Sequence, residues 1–95
     1  MLHKLKILKS FLEAIESGDK TFEIRKDQDR GFQRGDMVVF REVESCDIGQ
    51  AYSGRELLAE ITYVSSFYQP ENQVVFAIRK VGEFYWNEEV LAEKG

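Results

Sequence analysis

The chain contains one helix pattern among five strand patterns, and this imbalance constrains its fold more than any other feature of the sequence. Runs in which apolar and polar residues alternate, or which are largely apolar, predict strands over residues 3–8, 20–26, 37–43, 56–65 and 73–81. One short helix cannot cover a sheet of five strands, so we expect the sheet to curl into a barrel that removes its open edges. The predicted fold is α+β and mostly β, a barrel of about five to six strands with one or two short helices.

The helix pattern follows the first strand directly. Ser10-Phe11-Leu12-Glu13 matches a capping box, in which the serine oxygen accepts a bond from a helix amide and the glutamate reaches back to the cap. Phe11, Leu12 and Ile15 form one apolar face. Gly18 suits the left-handed backbone that ends a helix. The sequence therefore predicts a helix of about two turns that ends at Gly18.

Polar segments with glycine predict the connections between the strands. Residues 27–36 form a loop or tight turn, residues 44–55 the longest connector, and Pro70 lies in the turn between the last two strands. The segment 82–95 begins with an aromatic cluster and ends acidic, which fits a strand edge with a short helix or a frayed end. We expect a single domain over residues 1–95, with residues 82–95 as a loosely packed tail.

Composition excludes several classes of protein. The chain has 95 residues, of which 43% are hydrophobic and 32% charged, the balance of an ordinary globular domain. Cys46 is the single cysteine and His3 the single histidine, so an intrachain disulfide and clusters of cysteine or histidine around a metal are excluded. We expect neither a metal nor a cofactor. Charges interrupt every apolar run near the N-terminus, which predicts a cytoplasmic protein without a membrane partner.

Charge is distributed unevenly along the chain. The formal net charge is -4, which argues against nonspecific binding of nucleic acid over the whole surface. Residues 1–41 carry nine Lys and Arg against seven Asp and Glu, whereas residues 42–95 carry four against ten. An anion-binding surface is therefore expected from the first half of the chain.

Three short segments, in this order along the chain, resemble the pattern of a known family. They are residues 17–25 (SGDKTFEIR), residues 32–36 (FQRGD) and residues 52–57 (YSGREL). Together they resemble the pattern of ASCH domains in the PUA-like superfamily, in a small bacterial and phage branch, and the likeness spans roughly residues 3–81. The resemblance implies a PUA-like β-barrel, a class associated with RNA binding, RNA modification and translation.

The same resemblance raises the question of catalysis. Some ASCH relatives are amidohydrolases that remove the acyl group from N4-acetylated cytidine with a lysine, a threonine nucleophile and a glutamate. Their lysine corresponds to Lys20, whereas their threonine corresponds to Glu23, a departure that removes the nucleophile. Their glutamate lies in an insertion that residues 64–73 lack, where Glu71 is a candidate substitute. A binding protein is therefore favoured over an enzyme; in an enzyme, Lys20 and Glu23 would be catalytic.

Polar residues on one face of the second strand are the main candidates for a binding site. Thr21, Glu23 and Arg25 share this face, because side chains alternate along a strand. Arg25 could bind a phosphate or carboxylate through two N–H groups, and Glu23 could orient it or accept a bond from a base amino group. Lys20 could bind an anion in a cleft beside the helix. The alternative is a solvated row of salt bridges.

Other polar and aromatic residues divide between binding and structure. Tyr52 and Tyr68 lie in or beside loops and are candidates for stacking on a base, whereas Tyr63 shares the parity of core positions and is expected to be buried. Gly35-Asp36 is expected to have a structural role, with the glycine allowing the turn and the aspartate making a local hydrogen bond to the backbone. Three cations are interleaved with aspartates, which favours an ordinary solvated loop over phosphate contacts; these are Lys26, Arg30 and Arg34.

The leading hypothesis from the sequence is a binding module for RNA or a nucleotide-like small molecule, with the site beside the strand at residues 20–26. Its predicted site residues are Lys20, Thr21, Glu23, Arg25, Tyr52 and Tyr68. The second hypothesis is an amidohydrolase acting on an N-acylated nucleoside such as N4-acetylcytidine. The third is a protein-interaction domain, which would use the acidic second half or form a homodimer through the aromatic cluster Phe84, Tyr85 and Trp86.

Overall fold

Five strands form one sheet in the order β1-β3-β4-β5-β2, which leaves β1 and β2 at its two edges. The computed structural model describes residues 1–27, 30–43 and 52–85, with Tyr85 described by its backbone alone. The elements are β1 (Leu2–Leu8), α1 (Lys9–Ser17), β2 (Phe22–Lys26), β3 (Met37–Val43), β4 (Tyr52–Ser65) and β5 (Gln73–Tyr85). The predicted mostly-β fold with one short helix is confirmed.

The sheet curls into a half-barrel that brings its two edges close together. Arg25 on β2 donates a hydrogen bond from Nη2 to the backbone oxygen of Lys6 on β1, at 2.9 Å. We call the gap between these two edge strands, β1 and β2, the seam. The chain therefore limits its exposed strand edges by curvature, as the shortage of helix predicts.

Strand β1 pairs with β3 in parallel, and the other neighbours pair antiparallel. A parallel pair needs a crossover connection, and α1 lies within it, since the chain leaves β1 through α1 and β2 before entering β3. The helix packs against β1 and β3. Its position beside one end of β1 places the residues that follow it next to the seam.

The helix begins earlier than the sequence predicts. It starts at Lys9, with Leu8 as its N-cap and no side-chain capping bond, so the predicted capping box of Ser10 and Glu13 is wrong. Strand β1 continues to Leu8 and leads into the helix without a loop, which leaves Ser10 inside the first turn. The predicted end is confirmed, because Gly18 has φ +85° and its N–H bonds to the oxygen of Ile15 at 3.2 Å.

The core lies on the inner face of the curled sheet, beneath α1. It is formed by one parity of each long strand, two helix residues and one loop residue: Leu5, Ile7, Leu12, Ile15, Phe32, Val38, Phe40, Leu57, Ala59, Ile61, Val74, Phe76 and Ile78. Most of these side chains are completely inaccessible or nearly so. Burial of this apolar area is the main source of stability in a domain of this size.

Strand β2 buries its polar face, whereas the other strands bury their apolar faces. Glu23 points inward and is 4% exposed, whereas Phe22 and Ile24 point outward and are 44% and 50% exposed. Its apolar positions therefore do not enter the core, as apolar positions in a strand ordinarily do. A carboxylate in an apolar interior must be paired, because its desolvation costs several kcal/mol, on the order of the total stability of a small domain.

Strand β4 contains a bulge that overturns one prediction. Tyr63 was expected in the core with Leu57 and Ile61, yet it is 64% exposed. The pairing with β5 shifts between Ile61 and Tyr63, because two steps along β4 match one step along β5. An extra residue in one strand reverses the faces beyond it. Val64 consequently packs against the core in place of Tyr63.

The last two strands extend further than the sequence predicts. Residues 52–55, expected in the connector, form the start of β4, and residues 82–85, expected as a strand edge or a frayed end, form the end of β5. The two extensions meet at one pair, Arg55 opposite Tyr85, and residues 82–84 pair with residues 56–58. Neither extension shows a clean apolar alternation. The rest of the connector, residues 44–51, and residues 86–95 lie outside the described part of the chain.

Arg55 connects the helix to the sheet. Its guanidinium pairs with Glu16 near the end of α1 and with Glu42 on β3, where Nη1 and Oε2 lie 3.3 Å apart. Glu42 is buried on the inner face of β3, so this arginine supplies the positive charge that its burial requires. The segment YSGREL thus has a structural role through its arginine.

Asp36 fixes the loop before β3 to the start of β1. Its Oδ2 shares a hydrogen bond with Nε2 of buried His3 at 2.8 Å and accepts the backbone N–H of Gln33 at 3.0 Å. Gly35 has φ +93° and donates its N–H to the oxygen of Ile61. The predicted structural role of Gly35-Asp36 is confirmed. The bond with His3, and then that from Gln33, lower the pKa of Asp36 against the opposing effect of desolvation.

We expect Asp36→Asn to lower the free energy of unfolding at pH 7 by about 1–3 kcal/mol, because the bonds of the carboxylate lose their charge. The folded-state pKa of Asp36 lies below its ordinary value of 3.8. Its contribution is therefore complete above that value and is lost as the pH falls through the folded-state pKa. Urea denaturation from about pH 7 to about pH 2.5 should show the two proteins converging in acid.

The matched control is Glu71→Gln, which removes an exposed carboxylate and should change the unfolding free energy little. A difference between wild type and Asp36→Asn that stays constant into acid would show that the charge of Asp36 does not stabilise the fold.

Candidate functional site

The seam opens into a cleft of about 670 Å³ beside α1. Its wall combines apolar and charged side chains: Ile7, Leu8, Phe11, Phe22, Ile24 and Val43 with Lys6, Lys20, Glu23 and Arg25. Small-molecule sites commonly have this form, an apolar cleft in which a few charged groups converge. We call it the seam cleft.

Glu23 lies at the centre of the charged part of the seam cleft. Its Oε1 accepts a hydrogen bond from Lys20 Nζ at 2.5 Å, and its Oε2 accepts one from Arg25 Nε at 2.9 Å. Each carboxylate oxygen thus contacts a different cation. This pairing offsets the cost of burying Glu23 and explains why the polar face of β2, rather than its apolar face, points inward.

Lys20 reaches Glu23 because of how α1 ends. After the left-handed Gly18, the backbone N–H of Lys20 bonds back to the oxygen of Ala14 at 3.0 Å, which fixes the start of the approach to β2. The Lys20 ammonium lies 4.3 Å from the centroid of the Phe11 ring and 5.9 Å from that of Phe22. Both rings face the cation at distances where cation–π attraction operates.

Arg25 joins the seam cleft to the opposite edge of the sheet. The same guanidinium that donates Nε–H to Glu23 donates from Nη2 to the Lys6 backbone oxygen. A planar group with several fixed donors can make both contacts at once. Arg25 therefore neutralises the buried carboxylate and bridges the two edges of the sheet.

A smaller cavity of about 280 Å³ adjoins the seam cleft on the outer side of β1. It is lined by Lys4, Leu5, Lys6, Arg25, Arg30, Arg41 and Tyr52. We call it the basic groove. The Arg41 guanidinium lies 3.8 Å from the Tyr52 ring centroid and donates Nε–H to Glu56 at 2.9 Å. The groove shares Lys6 and Arg25 with the cleft, so the two cavities adjoin at these residues.

The structure brings together three of the six predicted site residues in one cavity. Lys20, Glu23 and Arg25 all line the seam cleft, and Tyr52 lines the basic groove next to it. Thr21 and Tyr68 line neither. The Thr21 side chain is exposed. Tyr68 lies in the turn between β4 and β5, is 92% exposed and contacts Phe67.

Sequence reasoning missed the aromatic part of the seam cleft. Phe11 was assigned to the apolar face of α1, and Phe22 to the apolar positions of the β2 strand, although both are half exposed at the cleft. The spacing of Lys20, Glu23 and Arg25 contained a usable signal. A carboxylate between two cations can be buried as a unit, which would turn the flanking Phe22 outward.

Three further predictions concern a metal site, a membrane helix and a homodimer. Within residues 1–27, 30–43 and 52–85, no group of three or more His, Cys, Asp and Glu side chains is arranged to hold a metal ion. No helix within these same ranges has the length and apolar character needed to cross a membrane. Phe84 is half exposed on β5, whereas the Tyr85 side chain, Trp86 and Cys46 lie outside the described part of the chain. A homodimer through this aromatic cluster stays a prediction.

These features define a small half-barrel domain with a charged cleft at its open seam. The chain belongs to the family described as "Domain of unknown function (DUF3850)", whose profile matches residues 2–78. The match includes every residue that lines the seam cleft and the basic groove. No curated protein matches the chain.

We expect Arg25→Ala to lower the free energy of unfolding by about 2 kcal/mol, because buried Glu23 loses a charged partner and the edges lose a bond. Urea denaturation measures the change. Arg79→Ala is the matched control, because Arg79 pairs with Glu60 at 2.9 Å on the exposed surface, where such pairs contribute about 0–1 kcal/mol. Equal effects of the two substitutions would show that the bridge across the seam does not stabilise the fold.

Proposed function

We propose that this protein is a binding module for RNA or a nucleotide-like ligand, and that the seam cleft receives a nucleobase. The observation that carries the proposal is a buried carboxylate, Glu23, beside two half-exposed aromatic rings, Phe11 and Phe22, in one cleft. Flat heteroaromatic ligands are bound through both kinds of contact, with stacking on their faces and hydrogen bonds at their edges.

The rings supply the stacking contact. Phe11 comes from α1 and Phe22 from β2, so they approach the cleft from two different elements. Their partial exposure leaves apolar area that a ligand can cover. Stacking of a base on an aromatic side chain contributes about 1–3 kcal/mol and is largely independent of the base.

Glu23 supplies the polar contact. An ionised carboxylate has about four acceptor positions, and Lys20 and Arg25 take one on each oxygen. The amino group of cytosine, adenine or guanine is a donor that fits the acceptor capacity of such a group. Lys20 and Arg25 hold the carboxylate in place, so its geometry is set before a ligand arrives.

We further propose that the family is related to the ASCH domains of the PUA-like superfamily. The support is the sequence resemblance of residues 3–81, together with a half-barrel in which α1 leads into a strand whose polar face lines a cleft. An association with RNA is the implication of that relationship. The basic bias of residues 1–41 is consistent with it.

We expect Phe22→Ala to weaken binding of a nucleoside or short RNA about tenfold, because one stacking surface is lost. Isothermal titration calorimetry with cytidine, adenosine, guanosine, uridine and a short single-stranded RNA provides the measurement. Tyr63→Ala is the matched control, since it removes an exposed ring that does not line the cleft. Lys20→Ala should also weaken binding. Absence of binding by all five ligands, or equal affinities of the two ring variants, would overturn the proposal.

A second candidate function rests on the contact between Lys20 and Glu23 in the seam cleft. In an amidohydrolase, Glu23 would remove a proton from water as it attacks the acyl carbonyl of N4-acetylcytidine. Lys20 would stabilise the oxyanion, and Glu23 would pass its proton to N4 as the C–N bond breaks, which would release cytidine and acetate. The arrangement favours binding over this chemistry, because both oxygens of Glu23 already accept bonds from cations.

Incubation of the purified protein with N4-acetylcytidine, followed by chromatography for cytidine, separates the two functions. We expect no cytidine above the level found without protein, even at high protein concentration. Release of cytidine that Glu23→Gln abolishes would instead establish the hydrolase.

A further inference from the structure

Two cations that line the basic groove occupy paired positions on neighbouring strands. Lys6 on β1 and Arg41 on β3 are direct partners in the parallel ladder. Both belong to the outward-facing parity of their strands, because the residues on either side of each are buried or more buried. Their side chains therefore lie next to each other on the outer face of the sheet.

The groove collects positive charge from four segments of the chain. Lys4 and Lys6 come from β1, Arg25 from β2, Arg30 from the following loop and Arg41 from β3. Glu56 pairs with Arg41 and Glu23 with Arg25, which balances part of this charge. This concentration contrasts with the net charge of -4 for the whole chain, so it is a local property of this surface.

Two contacts fix the orientation of the Arg41 guanidinium. Glu56 fixes its Nε, and the Tyr52 ring lies against the face of the guanidinium. A guanidinium carries five N–H donors in a planar arrangement, which suits phosphate oxygens. Its orientation by Glu56 and Tyr52 reduces the entropy that binding would otherwise cost.

The groove and the seam cleft adjoin at Lys6 and Arg25. A base in the cleft would place its sugar near Arg25 and a phosphate on that sugar in the groove. We propose that the basic groove binds the phosphate of the ligand whose base occupies the seam cleft. The ligand class is therefore a phosphate ester of a nucleoside, as a nucleotide or within an RNA strand. This inference rests on the proposed function.

The test compares ligands that differ by one phosphate. Calorimetry at low salt should show a nucleoside 5′- or 3′-monophosphate binding about tenfold more tightly than its nucleoside, an advantage that added salt removes. In the double variant Arg30→Ala/Arg41→Ala, we expect that advantage to disappear while the affinity for the nucleoside is unchanged. Neither residue lines the seam cleft.

The matched control is the double variant Arg79→Ala/Lys80→Ala, which removes two cations of β5 that line neither cavity. It should retain the full advantage of the phosphate. A short single-stranded RNA extends the comparison, because each phosphate contact contributes about 0.7 to the slope of log affinity against log salt concentration. The groove variant should reduce the magnitude of that slope, and the control variant should leave it unchanged.

The outcomes separate the two proposals. If the nucleoside binds but its monophosphates bind no more tightly, or if the advantage survives in the groove variant, the groove inference is wrong and the seam cleft stands. A strand of abasic sugar phosphates tests the opposite case. If it binds to wild type but not to the groove variant, and no nucleoside binds, the groove binds phosphate, but the base site and the inference that links the two cavities are overturned.

Discussion

The burial of Glu23 between Lys20 and Arg25 is the constraint on which the rest of this structure depends. A carboxylate at 4% exposure requires both cations, and their positions determine the local structure around it. Lys20 can reach it because α1 ends at Gly18, and Arg25 reaches it while bonding across the seam. The inward turn of these charges sends the apolar residues of β2 outward, which creates the rim of the cleft. One ion cluster thus sets the strand's orientation and the character of the site.

The two ends of β1 are fixed by different polar contacts. At its start, buried His3 bonds to Asp36, which also organises the loop before β3. Near its end, the backbone of Lys6 receives Arg25 from the opposite edge of the sheet. Between them, Leu5 and Ile7 enter the core. The strand therefore carries apolar packing on one face and cations on the other, and it contributes to both cavities.

Much of the fold follows from the sequence, because strand alternation and the shortage of helix leave few arrangements. The bounds of β3 and the glycine end of α1 are predicted directly. Alternation shows that Glu23 and Arg25 share a face of β2, but it does not say which face is buried, and here ion pairing decides against the apolar one. Tyr63 is mispredicted because a bulge changes the period within β4. Phe11 and Arg41 join the site only through the curl of the sheet, which no local pattern encodes.

The seam has a further consequence for access to the interior. Strands β1 and β2 share no ladder of backbone hydrogen bonds, because each ladder of the sheet joins a different pair of strands. Widening the gap between them breaks the bond from Arg25 to Lys6 but no backbone ladder bond. Local openings of a structure cost less free energy than global unfolding. The gap at the seam can therefore widen while the backbone pairing of the sheet is retained.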